Sequence, residues 1–150
     1  MTASPHLILI VEDSSDDFFF LQRSFNLADV INELRLVSDG QQAVDYLQGN
    51  APFHDRAAYP LPSLILLDLK LPLMDGFEVL SWIRQQPLLK NIIVIVLTSS
   101  SEEKDVARAY ELGANAFLVK PTSIDKLTDI VRSLELFWLQ HNKFAFLSAT

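Results

Sequence analysis

Five short apolar runs, each followed by an amphipathic stretch, constrain this chain more than any other feature. The runs are Leu7–Val11, Leu34–Val37, Leu64–Leu67, Ile92–Leu97 and Ala116–Val119. They are rich in Ile, Leu and Val. Continuously apolar runs of this length read as strands covered on both faces of a parallel sheet, because a strand with one wet face alternates polar and apolar residues. Between them the spacing predicts helices over roughly 15–26, 41–48, 76–86, 102–112 and 124–141. Strands alternating with helices imply βαβ units, right-handed crossovers and a three-layer α/β sandwich. Ser99 and Ser100 precede Glu102 and Glu103 by three, the spacing of a capping box. Gly113 stands where a helix ends in a left-handed residue. The stretch from Asn50 to Pro62 holds Pro52, Pro60 and Pro62 and is expected to form a surface loop.

Composition narrows the function. A length of 150 residues suits one domain, and 49% apolar residues supply a core without metals or disulfides. The chain has no Cys, which excludes disulfides, thiolate metal sites and cysteine nucleophiles and suits a reducing compartment. A net charge of −7 repels nucleic-acid phosphates, so direct DNA or RNA binding is not expected. No run approaches the ~20 apolar residues of a membrane helix. Residues 1–6 lack the pattern of a signal peptide. The expectation is a cytoplasmic, single-domain protein with no DNA-binding or enzymatic output domain.

In a doubly wound sheet, ligands bind outside the carboxyl ends of the strands. The first run ends in Glu12 and Asp13, the third in Asp68, the fourth in Thr98, Ser99 and Ser100, the fifth in Lys120 and Pro121. Strands side by side would bring three carboxylates, a hydroxyl and an ammonium to one rim. Grouped carboxylates without His or Cys suit a hard cation such as Mg²⁺. A carboxylate so placed can act as a nucleophile toward phosphorus, and such transfer depends on positioning and charge neutralisation. Asp16 and Asp17 read instead as first-turn acids favoured by the helix dipole.

The stretches Ile8-Leu9-Ile10-Val11-Glu12-Asp13, Leu66-Leu67-Asp68-Leu69-Lys70-Leu71-Pro72 with Met74-Asp75-Gly76, Leu97-Thr98-Ser99, and Gly113 to Pro121 resemble response-regulator receiver domains over about residues 6–136. The resemblance implies a five-stranded parallel sheet in the order 2-1-3-4-5, of flavodoxin-like form. It implies that Asp68 accepts a phosphoryl group from a sensor histidine kinase. Asp13, Asp68 and the backbone carbonyl of Lys70 would ligate Mg²⁺ (or Mn²⁺), with Glu12 acting through water. Thr98 and Lys120 would hold the phosphoryl oxygens, and Phe117 stands at the switch-aromatic position, although it also reads as plain core. The Lys120–Pro121 bond is expected to be cis. Lys70 and Ser100 depart from common family choices and bear on metal affinity and on phosphoaspartate lifetime.

The long loop before the third strand and the ending Leu136-Phe137-Trp138-Leu139 resemble the small regulators that serve cyanobacterial phytochrome histidine kinases. Phe18, Phe19 and Phe20 span about 200° of a helix, so one must leave the core; it is either a kinase-docking aromatic or an exposed ring without a role. Residues 1–5 are expected to be a lead. Residues 137–150 are expected to extend the last helix and end in an apolar tail with Phe144, Phe146 and Leu147. A homodimer is expected through the fourth helix, fifth strand, last helix and tail, or else the tail packs on its own domain. Three other functions fit less well. An aspartyl phosphatase would want a second acid where Lys70 stands. An FMN carrier would want a phosphate-cradling loop where Glu12 and Asp13 stand. A degenerate receiver serving as a constitutive dimeric scaffold would not need all five key side chains.

Overall fold

The computed structural model describes residues 6–145. It contains β1 (Ile8–Val11), α1 (Ser15–Leu27), β2 (Leu34–Val37), α2 (Gly40–Gln48), β3 (Leu64–Leu67), α3 (Gly76–Gln85), β4 (Ile93–Thr98), α4 (Glu103–Glu111), β5 (Ala116–Val119) and α5 (Ile124–Leu134). All strand pairs are parallel, in the order β2-β1-β3-β4-β5. The three-layer expectation and the strand order hold.

Successive side chains on a strand point to opposite faces, and the apolar runs feed two cores by this rule. Leu9, Val11, Ile65, Leu67, Val94 and Val96 pack toward α2, α3 and α4. Ile8, Ile10, Leu64, Leu66, Ile95 and Leu97 pack toward α1 and α5. Every position of β1 and β3 is buried, whereas β2 and β5 are only partly covered at the sheet edges. Burying a Leu, Ile or Val side chain stabilises by about 1.5–3 kcal/mol, so the two central strands anchor the sheet. Their register aligns Val11, Leu67 and Val96 in one row. That row fixes where the next residue of each strand emerges.

Local signals place the helix ends, though not always where expected. Asp75 accepts from the Glu78 amide at 2.9 Å and the Glu78 carboxylate accepts in return from the Asp75 amide, so the capping box belongs to α3. At α4 the serine-based box does not form. Glu102 is itself the N-cap without a side-chain cap, because the Ser100 hydroxyl donates instead to Asp105 at 2.6 Å. Gly113 follows α4 with φ +103, as a left-handed terminator should.

The last helix departs from a single α-helix through residue 141. From Glu135 to His141 it winds as a π-helix, closed by an i→i+5 hydrogen bond from the Asn142 amide to the Phe137 carbonyl at 2.7 Å. Consecutive Trp138 and Leu139 then both reach the α1/α5-side core, while Leu136 and Phe137 stay exposed. Phe144 folds back against His6, ring centroids 4.4 Å apart, and against the same core. That part of the tail therefore packs on its own domain. Phe146 and Leu147, like the lead 1–5, lie outside the described residues. The loop between α2 and β3 is anchored as well as exposed. Phe53 and Tyr59 pack on Tyr46, and the Arg56 guanidinium donates to the carbonyls of Tyr46, Leu47 and Tyr59. Among the described residues no helix is long and apolar enough to cross a membrane.

Candidate functional site

The strand ends converge. The Asp68 amide donates to the Val11 carbonyl, and the Lys120 amide donates to the Thr98 carbonyl at 2.7 Å, so Asp68 and Lys120 are each held one step beyond the end of their strand. Asp68 is 7% exposed. Its Oδ1 accepts the Thr98 hydroxyl at 2.9 Å and the Lys70 amide at 3.3 Å; its Oδ2 accepts Lys120 Nζ at 2.9 Å. Lys120 Nζ also donates to Glu12 Oε1 at 2.5 Å and to Asp17 Oδ2 at 2.8 Å. Glu12 is buried and accepts the Ser14 amide on its other oxygen. Asp13 is exposed. Oxygens from the carboxylates of Glu12, Asp13 and Asp68 lie within 4.8 Å of one another.

Three carboxylates therefore share one ammonium, and Asp13 adds a fourth carboxylate to the cluster. Burial pushes Glu12 up to about 7; the Lys120 hydrogen bond opposes that rise and the Asp68 charge adds to it. Burial alone would lower the Lys120 ammonium, but the hydrogen bonds it donates to Asp17, Glu12 and Asp68 outweigh it, and the group ends above its ordinary value. The excess negative charge is what a divalent cation would relieve. The donor set is all oxygen, without His or Cys, as Mg²⁺ prefers. Opposite ligands on Mg²⁺ stand roughly 4 Å apart, so the cluster also has the right size.

Of the expected site residues, Glu12, Asp13, Asp68, Thr98 and Lys120 come together. Lys70 lies on the same loop, exposed, and its ammonium pairs with no carboxylate among the described residues. Phe117 sits on β5 opposite Val96, half-buried against the α4-side core. Ser100 faces the first turn of α4 rather than Asp68. Two readings need correction. Asp17 is in the first turn of α1, as expected, but it is also a partner of Lys120. A helix starting at Ser15 returns Asp17 over the strand ends, which was the available clue. The Lys120–Pro121 bond is trans, since the cis peptide among the described residues is Ala51–Pro52. Of the aromatic triplet on α1, Phe19 is the exposed ring at 64%, while Phe18 and Phe20 pack on the core.

Comparison with known proteins agrees with this geometry. The response regulator receiver domain family matches residues 8–132. Response regulator Rcp1 of Synechocystis sp. (strain ATCC 27184 / PCC 6803 / Kazusa) is 42% identical over 136 residues, 91% of this chain and 90% of that protein. Its Mn²⁺-bound crystal structure superposes with a TM-score of 0.84, covering 95% of this chain and all of that one. RPA3017, a response regulator in red light signalling of R. palustris, gives a TM-score of 0.90 at 37% identity, covering 94% of this chain and 99% of that one. The phosphorylated cyanobacterial phytochrome response regulator RcpA gives 0.86 at 34% identity, covering 97% of this chain and all of that one.

Proposed function

This chain belongs to the response regulator receiver domain family, and from that premise we infer that Asp68 is the carboxylate on which it accepts a phosphoryl group. It is a phosphoacceptor response regulator. One observation carries the assignment of the residue: Asp68 receives a hydroxyl on one oxygen, an ammonium on the other, and two further carboxylates within 4.8 Å.

The donor is a phosphohistidine on a sensor histidine kinase, of phytochrome type by likeness to Rcp1, RcpA and RPA3017. An Asp68 oxygen bonds to phosphorus as the bond from phosphorus to the imidazole nitrogen breaks, and the electron pair leaves with the imidazole. Asp13, Asp68 and the Lys70 carbonyl, with Glu12 through water, would hold Mg²⁺, or Mn²⁺ as in the Rcp1 structure, which supplies positive charge against the carboxylates and the incoming phosphoryl oxygens. Lys120 and Thr98 already donate to Asp68, and both need move only a short way to donate to the phosphoryl group instead. Thr98 leaving its place lets Phe117 turn toward it, a local charge change biasing a two-state element. The protein turns over its own phosphoaspartate, acts on no external metabolite, and works in the cytoplasm.

The receiver occupies residues 6–136, with a lead before it and the helix extension and tail after it. Output passes by protein contact, and the face of α4, β5 and α5 supports a homodimer. There, Ala116, Leu118, Ile130, Leu134, Phe137 and Trp138 line a groove of about 380 Å³, beside exposed Val119 and Leu136. With Phe144 docked at home, Leu136 and Phe137 are the exposed large apolar side chains at the end of the last helix among the described residues, open to a partner. In sedimentation, Phe137→Ser is expected to shift a wild-type dimer toward monomer; monomeric wild type removes the dimer. The functional assignment is tested by transfer of radiolabel from an autophosphorylated phytochrome histidine kinase. Wild type should be labelled and Asp68→Asn should not; equal labelling of both refutes the assignment.

A further inference from the structure

Leu73 stands in the loop between β3 and α3 with φ 69, and it is 84% exposed. Its neighbours close on each other: the Met74 amide donates to the Pro72 carbonyl at 2.8 Å, an i→i+2 bond. The loop is therefore a γ-turn with a positive central φ, a rare and strained form. Among the described residues the other non-glycine residue with positive φ is Asp29, a residue type that tolerates it far better.

The turn is clamped from both sides. A Cβ on Gly40 would lie 1.9 Å from the Met74 carbonyl oxygen, and one on Gly76 would lie 2.3 Å from the Asp68 carbonyl oxygen. The Gly76 amide also donates to the Leu69 carbonyl at 2.9 Å. Backbone thus abuts backbone from Asp68 to the turn, and the leucine side chain is left projecting outward. It joins neither core. A glycine would hold this turn without strain, so the isobutyl group adds nothing to the fold it sits on. A strained residue beside a reacting group points to function.

We propose that Leu73 is an apolar anchor for the protein phosphodonor, the histidine-bearing helical surface of a sensor kinase, and that it acts in recognition and not in chemistry. The proposal rests on Asp68 being the phosphoacceptor. It commits to the donor because Asp68, 7% exposed, stands at the carboxyl ends of the strands and the turn follows it in the same β3–α3 loop, so a protein bringing phosphorus to Asp68 would meet the turn beside it. A small phosphodonor need not.

That difference supplies the test. Full-length wild type, Leu73→Gly and Leu73→Met are phosphorylated with Mg²⁺ by acetyl phosphate and, separately, by an autophosphorylated cyanobacterial phytochrome histidine kinase. Leu73→Gly should slow transfer from the kinase about tenfold, the loss of one anchor contact, and leave the acetyl phosphate rate unchanged. Leu73→Met keeps an apolar side chain and should stay near wild type with both donors. An unchanged kinase rate in Leu73→Gly overturns the proposal. So does an equal fall with both donors, which would assign Leu73 to the geometry of the Asp68 loop. Wild type labelled by acetyl phosphate but not by the kinase overturns the proposal alone. Wild type labelled by neither overturns the Asp68 assignment with it.

Discussion

Two partly buried cations hold opposite ends of this sheet, and they are satisfied in opposite ways. Lys120, at the carboxyl ends, donates to three carboxylates. Arg84 lies on α3 and reaches the residues flanking the other ends of β4 and β5. It donates to the Gly113, Lys90 and Ile92 carbonyls and to Asn115 Oδ1, at 2.7–2.9 Å. Its partners are all neutral. Burial lowers the Arg84 guanidinium from its ordinary value, while the carboxylates raise Lys120 despite burial. The rigid guanidinium fork fixes two segments, around 90–92 and 113–115, against α3 in one geometry. The lysine is a point charge among anions, and it can be shared with a new anion when one arrives. Similar burial therefore goes with a staple in one place and, in the proposed function, a phosphoryl site in the other, and the partners' charge separates the two.

The largest effect that would break this contrast is on Lys120. Lys120→Met should slow phosphorylation by acetyl phosphate about 100-fold, the usual loss when one aimed cationic or hydrogen-bond donor is removed. With Mg²⁺ present the fold should be retained, as thermal melting will show. Arg84→Met should do the reverse. It strands several carbonyls and should lower stability by about 3 kcal/mol in urea unfolding, while the phosphorylation rate of the folded protein is unchanged. A rate loss in Arg84→Met equal to that of Lys120→Met would erase the distinction.

A smaller, sharper effect is in pH. The folded Glu12 sits at about 7, above its ordinary 4.5. The metal-free fold therefore binds a proton that the unfolded chain releases, and stability falls as pH rises from about 4.5 through about 7. A cation must displace that proton, so Mg²⁺ affinity should rise over the same upper range, by less than tenfold per pH unit, and level off above it. Calorimetric Mg²⁺ titrations should show this slope in wild type and a flatter one in Glu12→Gln. Equal slopes would mean that Glu12 does not carry the proton.

Much of this was legible in the sequence, for physical reasons. A parallel in-register sheet brings every strand's carboxyl end to one rim, so the residue after each apolar run was a site candidate; Glu12, Asp68, Thr98 and Lys120 follow from that alone. Asp17 escaped because it reaches the rim from a helix, where an acid in the first turn has a sufficient local explanation. Arg84 gave no signal, since its partners are backbone carbonyls and one amide side chain, which no charge pattern announces. The apolar Ala116–Val119 run looks as buried as β3, yet β5 is an edge; nothing within four residues reports what lies beside them. The serines before α4 had the right spacing for a capping box, but Asp105 took the Ser100 hydroxyl. Leu73 gave no sign of a positive φ, which normally asks for Gly, Asn or Asp.

The central claim is that the anion cluster around Lys120 makes Asp68 a phosphoacceptor. The direct measurement is the intact mass of the protein after incubation with acetyl phosphate and Mg²⁺. The expected result is one adduct of about 80 Da, a phosphoryl group, lost in base and absent from Asp68→Asn. Wild type that gains no adduct with either Mg²⁺ or Mn²⁺, or an adduct that persists in Asp68→Asn, contradicts it.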